Sequence, residues 1–327
     1  MQSSKYRQRI FTCLKISVST GLLFYLMWLI DWGRAAKAIQ QADKLLFVVA
    51  PCSLLVGFIA SSCRWISILK DYVITFTFQK AYKGYLIGAF YNIFLPGAIG
   101  GDAVRIPFCM KESRCSLANA TASVMLERIS GGFALFFFVL CVCLLAPASL
   151  SPVVAVGNTR SVIVMATAAV MAIAAMMLGL RVLSRWSPER PAKGLWKIVV
   201  QGIQPLVNLR RRTLGKVLIL SAVYQAIDIV AAFLLSRAIG LTLSPVVFFA
   251  VIPLVYLATV LPISVGGLGV REGTLVVLLT QFGVASSDAV TLSFLIYLNR
   301  LGIGTLGGVI QLVETLKIRV TQQGSGA

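Results

Sequence analysis

Leu95-Pro96-Gly97-Ala98-Ile99-Gly100-Gly101-Asp102-Ala103-Val104-Arg105 and Leu261-Pro262-Ile263-Ser264-Val265-Gly266-Gly267-Leu268-Gly269-Val270-Arg271 align without a gap and agree at six of eleven positions. Each copy lies in or beside an apolar stretch, about 84–104 and 246–283. Proline removes an amide donor and paired glycines loosen a helix, so each copy interrupts a membrane helix and leaves backbone groups without helical partners. Irregular backbone at membrane depth is tolerated only inside protein or beside water. Two interrupted segments at corresponding places in two halves of a chain point to the central site of a transporter. Pro96, Gly97, Gly100 and Gly101 are therefore the expected hinge of the first copy, and Pro262, Gly266, Gly267 and Gly269 that of the second.

The rest of the chain fits a membrane setting. Of 327 residues, 58% are hydrophobic and 13% charged, about half the charge fraction of a soluble domain. Uninterrupted apolar runs near 10–30, 45–67, 117–146, 161–180, 217–239 and 289–313 reach or approach the length that crosses a hydrocarbon layer. The expected fold is all-α: six full transmembrane helices plus two Pro/Gly-broken re-entrant elements, in two inverted halves. The halves span about 10–180 and 217–315, joined by a basic cytoplasmic segment 181–216, and the whole is one integral membrane domain. A topology in which both broken stretches cross fully also preserves an even number of crossings and stays open. With the re-entrant assignment, 21 Lys and Arg fall on the cytoplasmic side and five on the other, which places both termini in the cytoplasm. The first run, long enough to span and with no small-residue cleavage pattern after it, is expected to be an uncleaved anchor.

The net charge of +19 is assigned to loops facing anionic lipid, with no role for nucleic acid. The segment 181–216, with its Arg210-Arg211-Arg212 triplet, is either a plain positive-inside loop or a surface that binds anionic lipid. The chain has no histidine, which removes Ser/His/Asp hydrolysis and Cys/His chemistry, and seven cysteines form no CxxC pair. The cysteines read as small apolar residues, and no enzyme activity, metal or cofactor is expected. Gly302-x-Gly304-x-x-Gly307 formally matches a dinucleotide fingerprint, but it lies inside a spanning run with no strand before it. Gly97-x-x-x-Gly101 and Gly304-x-x-x-Gly308 read as close helix contacts.

Ionised side chains at membrane depth are costly and invite a functional reading. Asp102 and Arg105 close the first broken stretch and Arg271 and Glu272 the second. Glu127-Arg128 and Asn299-Arg300 form a second, weaker repeated pair within spans. Four arginines (Arg105, Arg128, Arg271, Arg300) with fewer acids suit an anion, and guanidinium recognises phosphate in a bidentate manner. Half-helix N-termini at the Gly-Gly breaks would add unpaired amides. Internal ion pairs, such as Arg105 with Glu127 or Asp102 with Arg128, are the competing reading, and such pairs can open as a ligand enters. Asp228 is either a protonatable site or a hydrogen-bonding partner of a neighbouring helix.

Asn92-x-x-Leu95-Pro96-Gly97-x-x-Gly100-Gly101-Asp102-x-x-Arg105, the Glu127-Arg128 pair and Leu261-Pro262-x-x-x-Gly266-Gly267-x-Gly269-x-Arg271-Glu272 together resemble the flippase-like membrane domain of lysylphosphatidylglycerol synthases, over about residues 10–315. The resemblance implies a cytoplasmic (inner) membrane protein that moves lipids or lipid-linked sugars between leaflets. Its partners would be lipids with an anionic or phosphate-bearing headgroup, including isoprenoid-linked or hopanoid lipids, and a lipid-modifying enzyme. The synthases carry a soluble aminoacyl-transferase domain after this region, whereas the 327 residues end in a short polar tail, so lysyl transfer is not expected. The expected headgroup-binding residues are Asn92, Asp102, Arg105, Glu127, Arg128, Arg271, Glu272, Asn299 and Arg300. The alternative is a non-transporting partner of a lipid-modifying or glycosyltransferase enzyme.

Overall fold

A computed structural model describes Gly33 and residues 40–94, 100–145, 209–260 and 269–324. Among the described residues the fold is all-helical: α1 (Lys44–Asp71), α2 (Phe78–Phe94), α3 (Gly100–Ser113), α4 (Leu117–Leu145), α5 (Arg211–Ala238), α6 (Pro245–Val260), α7 (Val270–Thr280) and α8 (Ser286–Gly324). Four of them, α1, α4, α5 and α8, are long and apolar enough to cross a membrane. They coincide with four of the six expected full spans. The other two, near 10–30 and 161–180, lie outside the described residues, as do most of the segment 181–216, the hinge residues Pro96, Gly97, Pro262, Gly266 and Gly267, and the Gly97 end of the first Gly-x-x-x-Gly pair.

The element order repeats. A long helix, two shorter ones separated by the Pro/Gly stretch, and another long helix occur once as α1 to α4 and again as α5 to α8. The first of each set, α1 and α5, form the most extensive helix contact among the described residues. They run antiparallel, because the Asp71 carboxylate at the end of α1 accepts from the Arg210 amide at the start of α5 at 2.9 Å. At the opposite end the Asp43 amide, just before α1, donates to the Ala238 carbonyl at 3.0 Å. Asp43 also caps α1, its carboxylate accepting from the amides of Leu45 and Leu46 at 2.8 and 3.3 Å. Along this seam Gly57 lets the backbone approach the Tyr224 ring, to within 3.3 Å of where a Cβ would stand.

The arms of the first broken stretch fold back on one another. Gly84 of α2 faces Phe108 of α3, Gly88 faces Gly101 and Arg105, and Asn92 faces Gly101, so α2 and α3 form an antiparallel hairpin. A methyl group on Gly101 would collide with the Gly88 carbonyl and the Asn92 amide. In the second set α6 likewise packs on α7. The hairpin arm α2 is covered by α8, where a Cβ on Gly304, Gly307 or Gly308 would run into Ile93, the Leu86 backbone or Phe90. The expected contact role of the Gly304/Gly308 pair is thus met on α2, by the small residues that allow close backbone approach where lipid supplies no hydrophobic drive. The largest apolar core joins α1, α5, α6, α7 and α8, with Phe248, Ile252, Leu275, Leu279, Leu292 and Leu295 all but inaccessible.

Candidate functional site

The hairpin carries its charges onto one face. Asp102 and Arg105 stand three residues apart on α3, so both point toward α4, where Glu127 and Arg128 stand side by side. Arg105 Nη2 donates to Glu127 Oε2 at 2.5 Å, and its Nη1 lies 3.6 Å from Asp102 Oδ1. Arg128 Nε donates to Asp102 Oδ2 at 2.6 Å. Both ion pairs anticipated from the sequence are therefore present. The Arg105 guanidinium is held between two rings, 4.2 Å from the Trp65 centroid and 3.9 Å from that of Tyr85, where each π-face attracts the cation. Trp65 is fixed in turn by donating to Ser123 Oγ at 3.0 Å.

A third arginine completes this cluster from α1. Arg64 Nε lies 3.3 Å from Glu127 Oε1, the same oxygen to which the Tyr85 hydroxyl donates. Arg64 Nη1 donates to Ser221 Oγ of α5 at 3.0 Å, and Ser221 in turn contacts Ser130 Oγ at 2.9 Å. One buried network thus ties α1, α2, α3, α4 and α5 together. It holds Arg64, Arg105 and Arg128 against Asp102 and Glu127, an excess of one positive charge. Arg64 and Tyr85 were not singled out from the sequence. The signal for Arg64 was present, since it is an ionisable residue inside the run 45–67; Tyr85 gave none.

The remaining expected residues lie in two further pairs. Arg300 Nη2 donates to Asp228 at 3.0 Å and to the Tyr256 hydroxyl, with its guanidinium 5.0 Å from the Tyr256 ring. Asp228 is thereby an ion-pair partner of a neighbouring helix. Tyr224, one turn earlier on α5, lies between this pair and the first cluster, its ring 5.9 Å from the Arg64 guanidinium. Arg271 donates to Glu272 Oε1 through Nε at 3.0 Å and sits 5.6 Å from the Tyr297 ring, three residues before Arg300 on α8. Asn299 Oδ1 is buried and has no hydrogen-bond partner among the described residues, as is true of Arg105 Nε. The four expected arginines thus fall in three ion-pair groupings, Arg105 with Arg128, then Arg300, then Arg271.

One amide at each of the two half-helix starts is engaged by a side chain. The Gly101 amide donates to Asn92 Oδ1 at 2.6 Å, so Asn92 serves the first turn of α3. At α7 the Gly269 amide donates to Glu272 Oε2 at 2.7 Å, and Gly269 adopts φ 82°, a conformation that favours glycine. The unpaired amides expected at the breaks are in these two cases engaged by side chains one helical turn away or across the hairpin. Among the described residues no group of three or more His, Cys, Asp or Glu side chains is placed to hold a metal ion.

Residues 13–308 match the family model described as "Lysylphosphatidylglycerol synthase TM region". No curated protein matches the chain.

Proposed function

The chain belongs to the lysylphosphatidylglycerol synthase TM-region family, and from that premise we propose that it is a lipid transporter that binds an anionic, phosphate-bearing headgroup and moves the lipid between leaflets. The observation that carries the reading is the first cluster: three arginines and two carboxylates on interrupted and spanning helices, with one cation in excess. Ionisable groups are too costly at membrane depth to be retained for packing alone, and guanidinium is suited to phosphate. The acyl tails stay in lipid, so only the headgroup crosses through protein.

In this reading the two sets of four helices are inverted halves, about 10–180 and 217–315, each with a broken re-entrant hairpin. The antiparallel pairing of α1 with α5 supports it, because a two-fold axis relating antiparallel spanning helices lies in the membrane plane. The antiparallel packing of α2 on α3 supports entry and exit on one face. The protein resides in the cytoplasmic membrane with both termini in the cytoplasm, as the distribution of Lys and Arg favours. The headgroup touches the clusters of Arg105, Arg128, Arg271 and Arg300 in succession as the halves rock. It does no chemistry on the lipid. The test is reconstitution into vesicles with fluorescent phosphatidylglycerol in the inner leaflet, followed by an external quencher. Wild-type protein should expose the inner pool and Arg105→Gln/Arg271→Gln should not; equal exchange by both would overturn the proposal.

A further inference from the structure

Arg128 differs from the rest of its cluster. Its side chain is 54% exposed, whereas those of Arg64, Asp102, Arg105 and Glu127 are 7% or less. It stands near the middle of a spanning helix, where a guanidinium cannot face hydrocarbon and must open on water or on polar groups of a ligand. Its ion-pair partner Asp102 is almost wholly buried and lies 2.6 Å away.

The two acids are each shared. Asp102 lies between Arg128 at 2.6 Å and Arg105 at 3.6 Å, and Glu127 between Arg105 at 2.5 Å and Arg64 at 3.3 Å. If Arg128 turned to an outside anion, Asp102 would keep Arg105, and Glu127 would keep Arg64 and the Tyr85 hydroxyl. No buried carboxylate would be left without a cation, which is the state that costs most. Neither of the other arginines has this freedom. Arg105 is clamped between the Trp65 and Tyr85 rings, and Arg64 has donors engaged by Glu127, Ser221 and Tyr85.

We infer that Asp102 is the resting occupant of Arg128, and that a phosphate-bearing headgroup displaces it, with Arg105 taking over the Asp102 carboxylate. Arg128 is then the ligand contact of this cluster, and Arg105 and Arg64 are positioning residues that make the exchange possible. The inference rests on the headgroup-binding reading above and assigns unequal roles within it. A lipid phosphodiester and free phosphate share the recognising chemistry.

The test is native mass spectrometry of the full chain in a neutral detergent, titrated in separate arms with dioleoylphosphatidylglycerol and with inorganic phosphate. Removing the competing carboxylate in Asp102→Asn should tighten the lipid by about fivefold, the most that a half-exposed ion pair withholds. Arg128→Gln and the double variant should lose it. A folded Asp102→Asn that binds equally or more weakly overturns the exchange while wild-type binding leaves the headgroup reading standing. Absence of binding by the wild type and every variant overturns both. Tightening seen with inorganic phosphate and not with lipid overturns the lipid as the anion's source. Should Asp102→Asn not remain monodisperse, phenylglyoxal labelling of Arg128 in the wild type decides, since bound phosphatidylglycerol must protect that residue and unchanged labelling refutes the contact.

Discussion

Replacing Glu127 by Gln keeps the side chain's shape and removes one buried negative charge. The Glu127 side chain is 2% exposed and neutralises Arg64 and Arg105, themselves 6% and 7% exposed. The variant would leave two buried guanidiniums facing an amide, with Asp102 at 3.6 Å as the nearest remaining carboxylate of Arg105. Removing one partner of a buried ion pair costs about 3–5 kcal/mol, and a carboxylate shared by two arginines belongs at the upper end. Arg128→Gln is the matched control, because its cation is half exposed and the pair is worth about 0–1 kcal/mol. Unfolding in mixed micelles with rising dodecyl sulfate, followed by circular dichroism, measures both. Glu127→Gln should therefore be the weaker protein by at least about 2 kcal/mol, the gap between those two ranges. If the two variants unfold within about 1 kcal/mol of each other, the buried network does not hold the helices together as argued. Adding Arg64→Gln to Glu127→Gln should recover part of the loss, since it removes one of the two uncompensated cations.

Gly307→Ala drives a methyl into the Leu86 backbone and should destabilise the same unfolding transition by about 1–3 kcal/mol, whereas Gly132→Ala, with open space around it, should be neutral or gain up to about 1 kcal/mol from helix propensity. At the end of α3, Lys80 Nζ lies 2.9 Å from Glu112 Oε2, and the hydrogen bond from Lys80 holds the Glu112 carboxyl below the usual carboxylate range. A depressed folded value means stability present above the unfolded value near ~4.3 and lost as pH falls through the folded one, here by less than about 1 kcal/mol because the pair is partly exposed. Protection factors of the amides over residues 105–113, corrected for the intrinsic exchange rate at each pH, should fall on acidification below that window in the wild type, and Lys80→Gln should abolish the difference.

The repeated Leu-Pro and Gly-Gly signals mark the sequence between α2 and α3 and between α6 and α7, because proline and glycine act on their own backbone, wherever the chain folds. Composition and run length gave a helical membrane protein for the same reason, since hydrocarbon leaves helices as the way to satisfy every amide of an apolar segment. The pairs Arg105–Glu127 and Asp102–Arg128 were legible because these residues lie 22 and 26 positions apart in elements that follow one another. The partition of the arginines was not legible. Arg64 meets Glu127 across 63 residues and Ser221 across 157, and Arg300 meets Asp228 across 72. Those meetings depend on the antiparallel seam of α1 with α5 and on which face of α8 turns inward. Asn92 entered as a ligand candidate, and only the hairpin's fold-back brought it to the Gly101 amide. Local composition thus determined where the four long apolar helices run. Long-range packing decided the pairings of Arg64 and Arg300, because a buried ion pair between distant segments is specified by the arrangement of helices and not by the residues between its partners.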